Sequence, residues 1–277
     1  MTAVPGSPQL NNLIAAKYLG TDAMAAPILG LVASLIMFGL GYVWLKYREN
    51  KLRKKGEHFQ TGVYTDIEKD AVCHSHWSFG LIALIVVVVA LNVFKLHAVL
   101  SIGIGIIILA LLHINQYKKF ADVLNEAAVG STTSIMNTSA AVGFGSVVKV
   151  VPGFAVLTAK LLGLGGSALF SEAVSITTLA GATGSSSGGM TIALEALGSK
   201  YLEIAQQTGI SPEVFHRVAT VASGGLDTLP HCGAVVTLLS VCRLKHKDSY
   251  FDIFMCCCVF PIVAVLAIVI LGSMGVK

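Results

Sequence analysis

The chain has 277 residues, of which 55% are hydrophobic and only 12% are charged, and its mean hydropathy is +0.77. Soluble domains carry about 25% charged residues, so the composition excludes an ordinary soluble protein and predicts an all-α integral membrane protein. The net charge is +4, and the basic residues flank apolar runs, which favours a role in membrane topology over nucleic-acid binding.

Four uncharged apolar runs predict membrane-spanning helices. They cover residues 25–45, 78–94, 98–112 and 253–276. Each approaches the roughly 20 residues that a helix needs to cross the hydrocarbon core. The second and third runs are separated only by residues 95–97, so we expect them to form a tight helical hairpin.

Basic residues flank two of these runs. Lys46, Arg48, Lys51, Arg53, Lys54 and Lys55 follow the first run, and Arg243, Lys245 and Lys247 precede the last. Positively charged flanks stay on the cytoplasmic side, so both are predicted to be cytoplasmic. Residues 46–77 are therefore expected to form a cytoplasmic basic loop, and the chain must cross the membrane an even number of times between Lys119 and Arg243.

Three segments in this part of the chain carry helix-breaking residues at membrane depth. They cover about 122–163, 166–197 and 213–243 and are rich in Gly, Ser and Thr. Freed backbone groups are tolerated there only inside protein or beside a wet cavity. Parity requires one segment to be a re-entrant hairpin. The glycine-rich middle of 122–163 favours that segment over 166–197, although either choice satisfies the parity.

A weak internal repeat divides the chain. A proline-broken polar stretch precedes an apolar run both at Pro8 and at Pro230, and the predicted topology orients the two in opposite directions, as inverted repeats require. Residues 1–45 are thus expected to end a first repeat. Residues 78–277 are expected to form a complete second repeat, with scaffold spans, a re-entrant hairpin, Pro/Gly-broken helices and a last span.

The stretch "TGSSSGGM" at 183–190 predicts a break between two helices. Successive backbone N–H groups at such a break can bind an anion, more so if the next helix points its positive end toward them. A substrate carboxylate would fit this site. The alternative interpretation is a plain turn between helices.

The stretch "SGGLDTLPHCGAV" at 223–235 places titratable groups beside another break. Asp227 and His231 are one helical turn apart, and Pro230 interrupts the hydrogen bonds between them. Both are candidates to take up and release a proton; Asp227, with Thr228, could instead cap the following half-helix. Glu172, another acid in apolar surroundings, is a third proton-coupling candidate.

No metal or cofactor is expected. Residues 73–76, "CHSH", group metal-ligating residue types, but they lack a second matched pair and lie in a polar loop. The cysteines at 256–258 are interpreted as small apolar packing residues, which is favoured, or as a target of lipid modification.

Four stretches carry a family resemblance. They are "VPGSPQLNN" at 4–12, "NTSAAVGFGSVVKVVPGF" at 137–154, "TGSSSGGM" at 183–190 and "ASGGLDTLPHCGAVVTLLSVCRLKHKDSYFDIF" at 222–254. Together they resemble the gluconate permease (GntP) family of proton symporters over nearly the whole chain. Cys232 departs from the family pattern, in which an asparagine is expected.

The resemblance implies a multi-span transporter like those of the ion-transporter superfamily, with an elevator-type movement. It implies proton symport of gluconate or a related small hydroxy-carboxylate, such as glycerate or 3-hydroxybutyrate, across the inner (plasma) membrane of a bacterium. Sodium is the less favoured coupling ion. The chain resembles the C-terminal part of the family's length, so a truncated form is expected.

The expected substrate site draws on all of these breaks. Its candidate residues are Pro5, Gly6, Ser7, Gln9, Asn137, Thr138, Ser139, Thr183, Gly184, Ser185, Ser186, Ser187, Gly188, Gly189 and Thr228. Asp227, His231 and Glu172 are the proton-coupling candidates. Expected partners are the hydroxy-carboxylate, the lipid bilayer and, as a further candidate, a second copy of the chain in a homodimer.

Two other functions stay open. A membrane-embedded enzyme would use His231 with Cys232 or Asp227, which must then lie within hydrogen-bond reach of each other. A nontransporting accessory subunit would require a larger partner. A transporter needs only a substrate pocket and is favoured, so no enzymatic activity is expected.

Overall fold

The computed structural model describes residues 3–57, 77–153, 156, 160, 167–242 and 244–277, and these residues form helices and turns without a strand. The helices are α1 Leu10–Leu19, α2 Pro27–Lys54, α3 Trp77–Asn92, α4 Ala98–Leu112, a 3₁₀ turn Ile114–Lys119, α5 Phe120–Val150, α6 Ala168–Thr183, α7 Ser186–Thr208, α8 Pro212–Ala222, α9 Gly233–Val241, α10 His246–Phe254, a π-helical turn Met255–Val259 and α11 Phe260–Ser273. Contacts divide the chain into two units, Met1–Gly41 with Ala127–Lys277, and Tyr42–Glu126.

Two helical stretches among the described residues are long and apolar enough to cross a membrane. They are Pro27–Lys54 and the combined final stretch His246–Ser273. A third candidate is the pair Ala98–Leu112 and Ile114–Thr132, which is bent by 106°. Helix α3 is apolar but shorter. The described chain is therefore a helical membrane protein by length and composition.

The unit Tyr42–Glu126 contains the expected helical hairpin. Helices α3 and α4 pack against each other, and Val87 of α3 lies against Gly105 of α4. Before it, α2 continues past the predicted end at residue 45 as far as Lys54. The extension is favoured because its last turn carries basic side chains, which interact well with the negative end of the helix. The predicted loop is thus partly helical, and residues 58–76, including the "CHSH" group, lie outside the described residues.

The predicted re-entrant break in the middle of 122–163 is wrong. Helix α5 runs without interruption from Phe120 to Val150 and passes through the glycine-rich stretch as one helix. Isolated glycines cost a helix only about 1 kcal/mol each, so they weaken it without ending it. The alternative segment, 166–197, does contain a helix–turn–helix hairpin, since α6 and α7 are packed together across a two-residue break.

The core of the larger unit lies where α6, α7, α8, α1 and α11 meet. Its buried side chains include Leu29, Leu169, Ile176, Met190, Leu194, Phe215, Val218 and Ile268. Helix α8 begins with a Ser211 cap and Pro212, so its start is fixed locally. The short helix is buried from Val214 to Ala222, which holds the start of the following loop, residues 223–232, inside the unit.

The last helical stretch contains a π-helical turn at Met255–Val259, which ends two residues before Pro261. Proline has no N–H to donate to the carbonyl four residues earlier, so the helix widens at this point. The turn displaces the cysteines at 256–258 from regular helical positions. Cys256 and Cys257 consequently line a cavity described below.

Candidate functional site

The first feature of the site is the break between α6 and α7. Helix α6 ends at Gly184, whose φ of 60° is left-handed and favours glycine. Ser185 then caps α7, and its hydroxyl accepts a hydrogen bond from the Gly188 N–H at 3.2 Å. Most of the predicted anion-binding loop, from Ser186 onward, is therefore the first turn of a helix.

Close packing fixes the position of this helix start. Gly189 lies against α6, where a Cβ would be 2.6 Å from the Leu179 carbonyl carbon and closer still to Ala180 N and Cα. The Thr183 hydroxyl donates to the Leu179 carbonyl at 2.8 Å. Gly189 is thus explained by packing, and the N-terminus of α7 is held at a fixed place beside the end of α6.

Replacing Ser185 by Ala is expected to destabilise the protein by about 1 kcal/mol, because the Gly188 N–H loses its acceptor at a helix start. Urea unfolding of the purified protein in detergent measures the change. Ser199→Ala, an exposed position of α7, is the matched control and should leave the midpoint unchanged. Equal midpoints for the two variants would show that the cap contributes nothing.

The second feature is the loop at 223–232, which packs onto the first break. The His231 ring nitrogen Nε2 lies 3.0 Å from the Gly181 carbonyl oxygen. A Cβ at Gly181 would lie 2.9 Å from Leu226, and one at Gly184 would lie 3.0 Å from the His231 ring. The structure therefore brings together the two helix breaks that the sequence predicts, although they are more than 40 residues apart.

Asp227 lies at the start of α7. Its half-buried carboxylate interacts electrostatically with the Ser186 hydroxyl and with the backbone N–H groups of Asp227 and Thr228. A carboxylate is stabilised at a helix N-terminus by the exposed N–H groups and the helix dipole. In this conformation Asp227 thus interacts with the helix end that the sequence assigns to a substrate anion.

Thr228 is fixed by the final helical stretch. Its hydroxyl lies 3.3 Å from the Cys258 thiol, and its carbonyl accepts a hydrogen bond of 3.2 Å from the Tyr250 hydroxyl. The π-helical turn and α10 therefore hold the residue that follows Asp227. Thr228 lines the cavity beside Asp227, which keeps it available as the substrate contact that the sequence predicts.

A cavity of about 670 Å³ opens beside Asp227 and Thr228. Its walls come from the N-terminal segment, α2, the 223–232 loop and the π-helical turn: Ala3, Val4, Leu31, Ser34, Leu35, Met37, Phe38, Gly224, Cys256, Cys257 and Pro261. The cavity is mostly apolar, with polar groups concentrated at the loop. A small polar molecule would therefore be bound at the Asp227 end.

A buried polar network lies beside the loop, and the sequence reasoning missed it. Its centre is Arg217 of α8, which is fully buried. All its nitrogens donate hydrogen bonds, to the carbonyls of Ala3, Ala23 and Ala25 and to the Asn12 amide oxygen. The signal was a His-Arg pair in the middle of an apolar helix, which indicates an interior polar role.

The network extends to both ends of α1. His216 contacts the Asn12 amide oxygen at 3.1 Å and the Thr21 hydroxyl at 2.6 Å. Asn11 donates to the Ser223 hydroxyl at 2.8 Å, which ties the start of the 223–232 loop to the N-terminal helix. The N-terminal segment thus supports the 223–232 loop through hydrogen bonds of backbone and side-chain amide groups.

The other predicted residues lie in several places. From the N-terminal segment the cavity is lined by Ala3 and Val4, whereas Pro5, Gly6, Ser7 and Gln9 form the turn before α1, with the Gly6 N–H bonded to the Ala23 carbonyl. Ser139 is exposed on α5. The side chains of Asn137 and Thr138 lie outside the described part of the structure. For these residues, substrate contact stays a prediction.

The geometry gives no support to a His231-based nucleophilic site. The Nε2 atom of His231 faces the Gly181 carbonyl, and Cys232 is buried in a small cluster with Val235 and Leu239. A base must reach its nucleophile by a hydrogen bond. The contacts of these two side chains are instead with the Gly181 carbonyl and with Val235 and Leu239.

Comparison with known proteins finds a bacterial transporter. The chain is 34% identical over 297 aligned positions to the "Uncharacterized transporter YxjC" of Bacillus subtilis (strain 168), and the alignment covers 92% of this chain and 63% of that protein. The chain thus spans less than two thirds of the relative's length. No family model matches the chain, and no solved structure matches it. The finer resemblance to gluconate permeases stays a prediction.

Proposed function

We propose that the chain functions in secondary active transport of a small hydroxy-carboxylate, such as gluconate or 3-hydroxybutyrate, coupled to proton entry across a bacterial plasma membrane. The similarity to a transporter supports the general role. The observation that carries the proposal is the meeting of two helix breaks, Gly184–Ser185 and residues 223–232, around the Asp227 carboxylate. Interrupted helices that meet inside a bundle are the usual sites of substrates in such transporters.

The position of Asp227 suggests how a proton and an anion are coupled. In the structure its carboxylate interacts with the α7 start through the Ser186 hydroxyl. A substrate carboxylate would be attracted to the same N–H groups and dipole, but two like charges repel each other there. Protonation of Asp227 removes that repulsion and weakens its hold on Ser186. The proton and the substrate anion therefore favour each other's binding.

The surrounding residues fit this exchange. Thr228 follows Asp227 on the cavity wall, and Ser34 lies on the facing helix α2; both hydroxyls can bond to hydroxyl groups of a polyol acid. His231 holds the loop to the Gly181 carbonyl, which keeps Asp227 and Thr228 beside the end of α6. The binding is noncovalent and reversible.

Replacing Asp227 by Asn is expected to uncouple transport from the proton gradient. The amide keeps the shape of the side chain but neither carries nor releases the proton. We expect accumulation of labelled gluconate or 3-hydroxybutyrate, driven by an inward pH gradient in proteoliposomes, to fall by about tenfold or more. Exchange of labelled for unlabelled substrate without a gradient should persist.

Asp122→Asn is the matched control, since Asp122 is an exposed acid in the first turn of α5. Its gradient-driven uptake should equal that of the unchanged protein. Gradient-driven accumulation that survives in Asp227→Asn would contradict the coupling role. Absence of gradient-dependent uptake of either acid in the unchanged protein would contradict the proposed substrate class.

A further inference from the structure

A buried acid lies apart from the Asp227 site, in the second turn of α6. Glu172 has an exposure of 0%, and neither carboxylate oxygen has a hydrogen-bond partner among the described residues. An ionised carboxylate buried without a partner is among the most unfavourable arrangements in a protein. No hydrogen bond from the described side chains therefore neutralises it.

The described groups around Glu172 offer oxygen atoms and no positive charge. The Tyr201 hydroxyl of α7, which is 1% exposed, interacts with the Glu172 charge and donates to the Ser175 hydroxyl at 3.3 Å. Ser175 donates in turn to the Ser171 carbonyl at 2.7 Å. The cluster thus combines one carboxyl group with hydroxyl and carbonyl oxygens in the buried interior between α6 and α7.

The helices packed against α6 provide no counter-charge. Helix α8 carries His216 and Arg217, but both direct their hydrogen bonds to the N-terminal segment. Helix α11, Phe260–Ser273, contains no charged residue. From α7 the titratable group beside the carboxyl is Tyr201, an acid whose hydroxyl is neutral in its ordinary state. Within the described part of the chain these helices supply no positive charge to Glu172, and a bound ion would supply it.

We propose that Glu172, with Ser175 and Tyr201, binds one small monovalent cation, either a proton on the carboxyl oxygen or Na⁺ among these oxygens, at a site separate from Asp227. Carboxylate, hydroxyl and carbonyl oxygens are the ligands that hard cations prefer. The site lies between α6 and α7, the two helices whose ends form the Asp227 site. Its occupation holds these helices together, independently of which substrate is carried.

Infrared spectroscopy and thermal unfolding of the purified full chain distinguish the two ions. If the ion is a proton, a protonated-carboxyl C=O band persists at mildly alkaline pH and disappears in Glu172→Gln. If it is Na⁺, no such band is present, and NaCl raises the unfolding midpoint relative to choline chloride at equal ionic strength. That rise disappears in Glu172→Gln.

Glu195→Gln is the matched control, because Glu195 is an exposed acid on α7, and it should leave both signals unchanged. Tyr201→Phe retains the carboxyl group and covers the case in which Glu172→Gln does not fold. It should shift the C=O band or weaken the Na⁺ effect. The proposal is overturned if neither a buried carboxyl band nor a Na⁺-dependent midpoint is found, or if both signals are the same in the Glu172 or Tyr201 variant as in the unchanged protein.

Discussion

Replacing Arg217 by Met is expected to destabilise the protein by about 3 to 5 kcal/mol, because buried oxygen atoms lose their hydrogen-bond donor. Arg217 donates to the carbonyls of Ala3, Ala23 and Ala25. Apolar residues can replace both partners of a buried ion pair. The acceptors of Arg217 are backbone carbonyls, which remain when the side chain is replaced. The Ala3 and Ala25 carbonyls would lose this donor, at about 1 to 3 kcal/mol each, whereas the Ala23 carbonyl keeps its hydrogen bond from the Gly6 N–H.

The measurement is the unfolding midpoint of the purified protein in detergent, which should fall by on the order of 10 °C. Arg217→Lys keeps the charge but has fewer donors without the planar fork, so an intermediate fall is expected. Arg53→Met, at the exposed end of α2, is the control for loss of a positive charge. Equal midpoints for Arg217→Met and Arg53→Met would show that the network does not stabilise the fold.

Replacing Gly189 by Ala is expected to cost about 3 kcal/mol and to reduce uptake as well. The added Cβ would meet backbone atoms of Leu179 and Ala180, which cannot rotate away as a side chain can. Overpacking of this kind costs about 1 to 3 kcal/mol, and the upper end applies where backbone must move. Moving α7 away from α6 also displaces Ser185 and Ser186, which form the start of the proposed anion site.

Stability and substrate exchange are therefore measured on the same Gly189→Ala sample. Gly39→Ala in α2 is the matched control, because a Cβ there meets no atom within 4 Å. Alanine is the better helix former by about 1 kcal/mol, so the control should be neutral or slightly stabilised. A Gly189 variant that is as stable and as active as the control would contradict the close packing of the two helices.

The helical membrane character and most helix positions could be predicted from the sequence. Apolar runs of the right length gave α2, α3, α4 and the final stretch, because crossing hydrocarbon imposes a minimum length and excludes charge. The breaks at Gly184 and around Pro230 were also predictable, since Gly and Pro act on the local backbone. The end of α2 was less predictable, since charged residues continue a helix as readily as they form a loop.

The glycine pattern predicted one helix break wrongly, in α5, and one correctly, between α6 and α7. Glycines in the middle of α5 predicted a break there, yet the helix continues. Composition alone does not distinguish glycines that a helix tolerates from glycines that end it. At Gly184 the same residue type does end a helix. The difference lies in packing: Gly189 lets α7 lie against Ala180, a contact that no pattern along the chain reports.

The sequence by itself determined that this protein lies in a lipid bilayer and where its helices stop, since hydropathy and backbone chemistry act locally. What only the tertiary structure decided is which of those places meet. Asp227 lies at the α7 start, Arg217 lies among three carbonyls, and Glu172 is buried without a partner. Each of these follows from contacts between distant segments, whose free energy depends on burial and geometry in three dimensions.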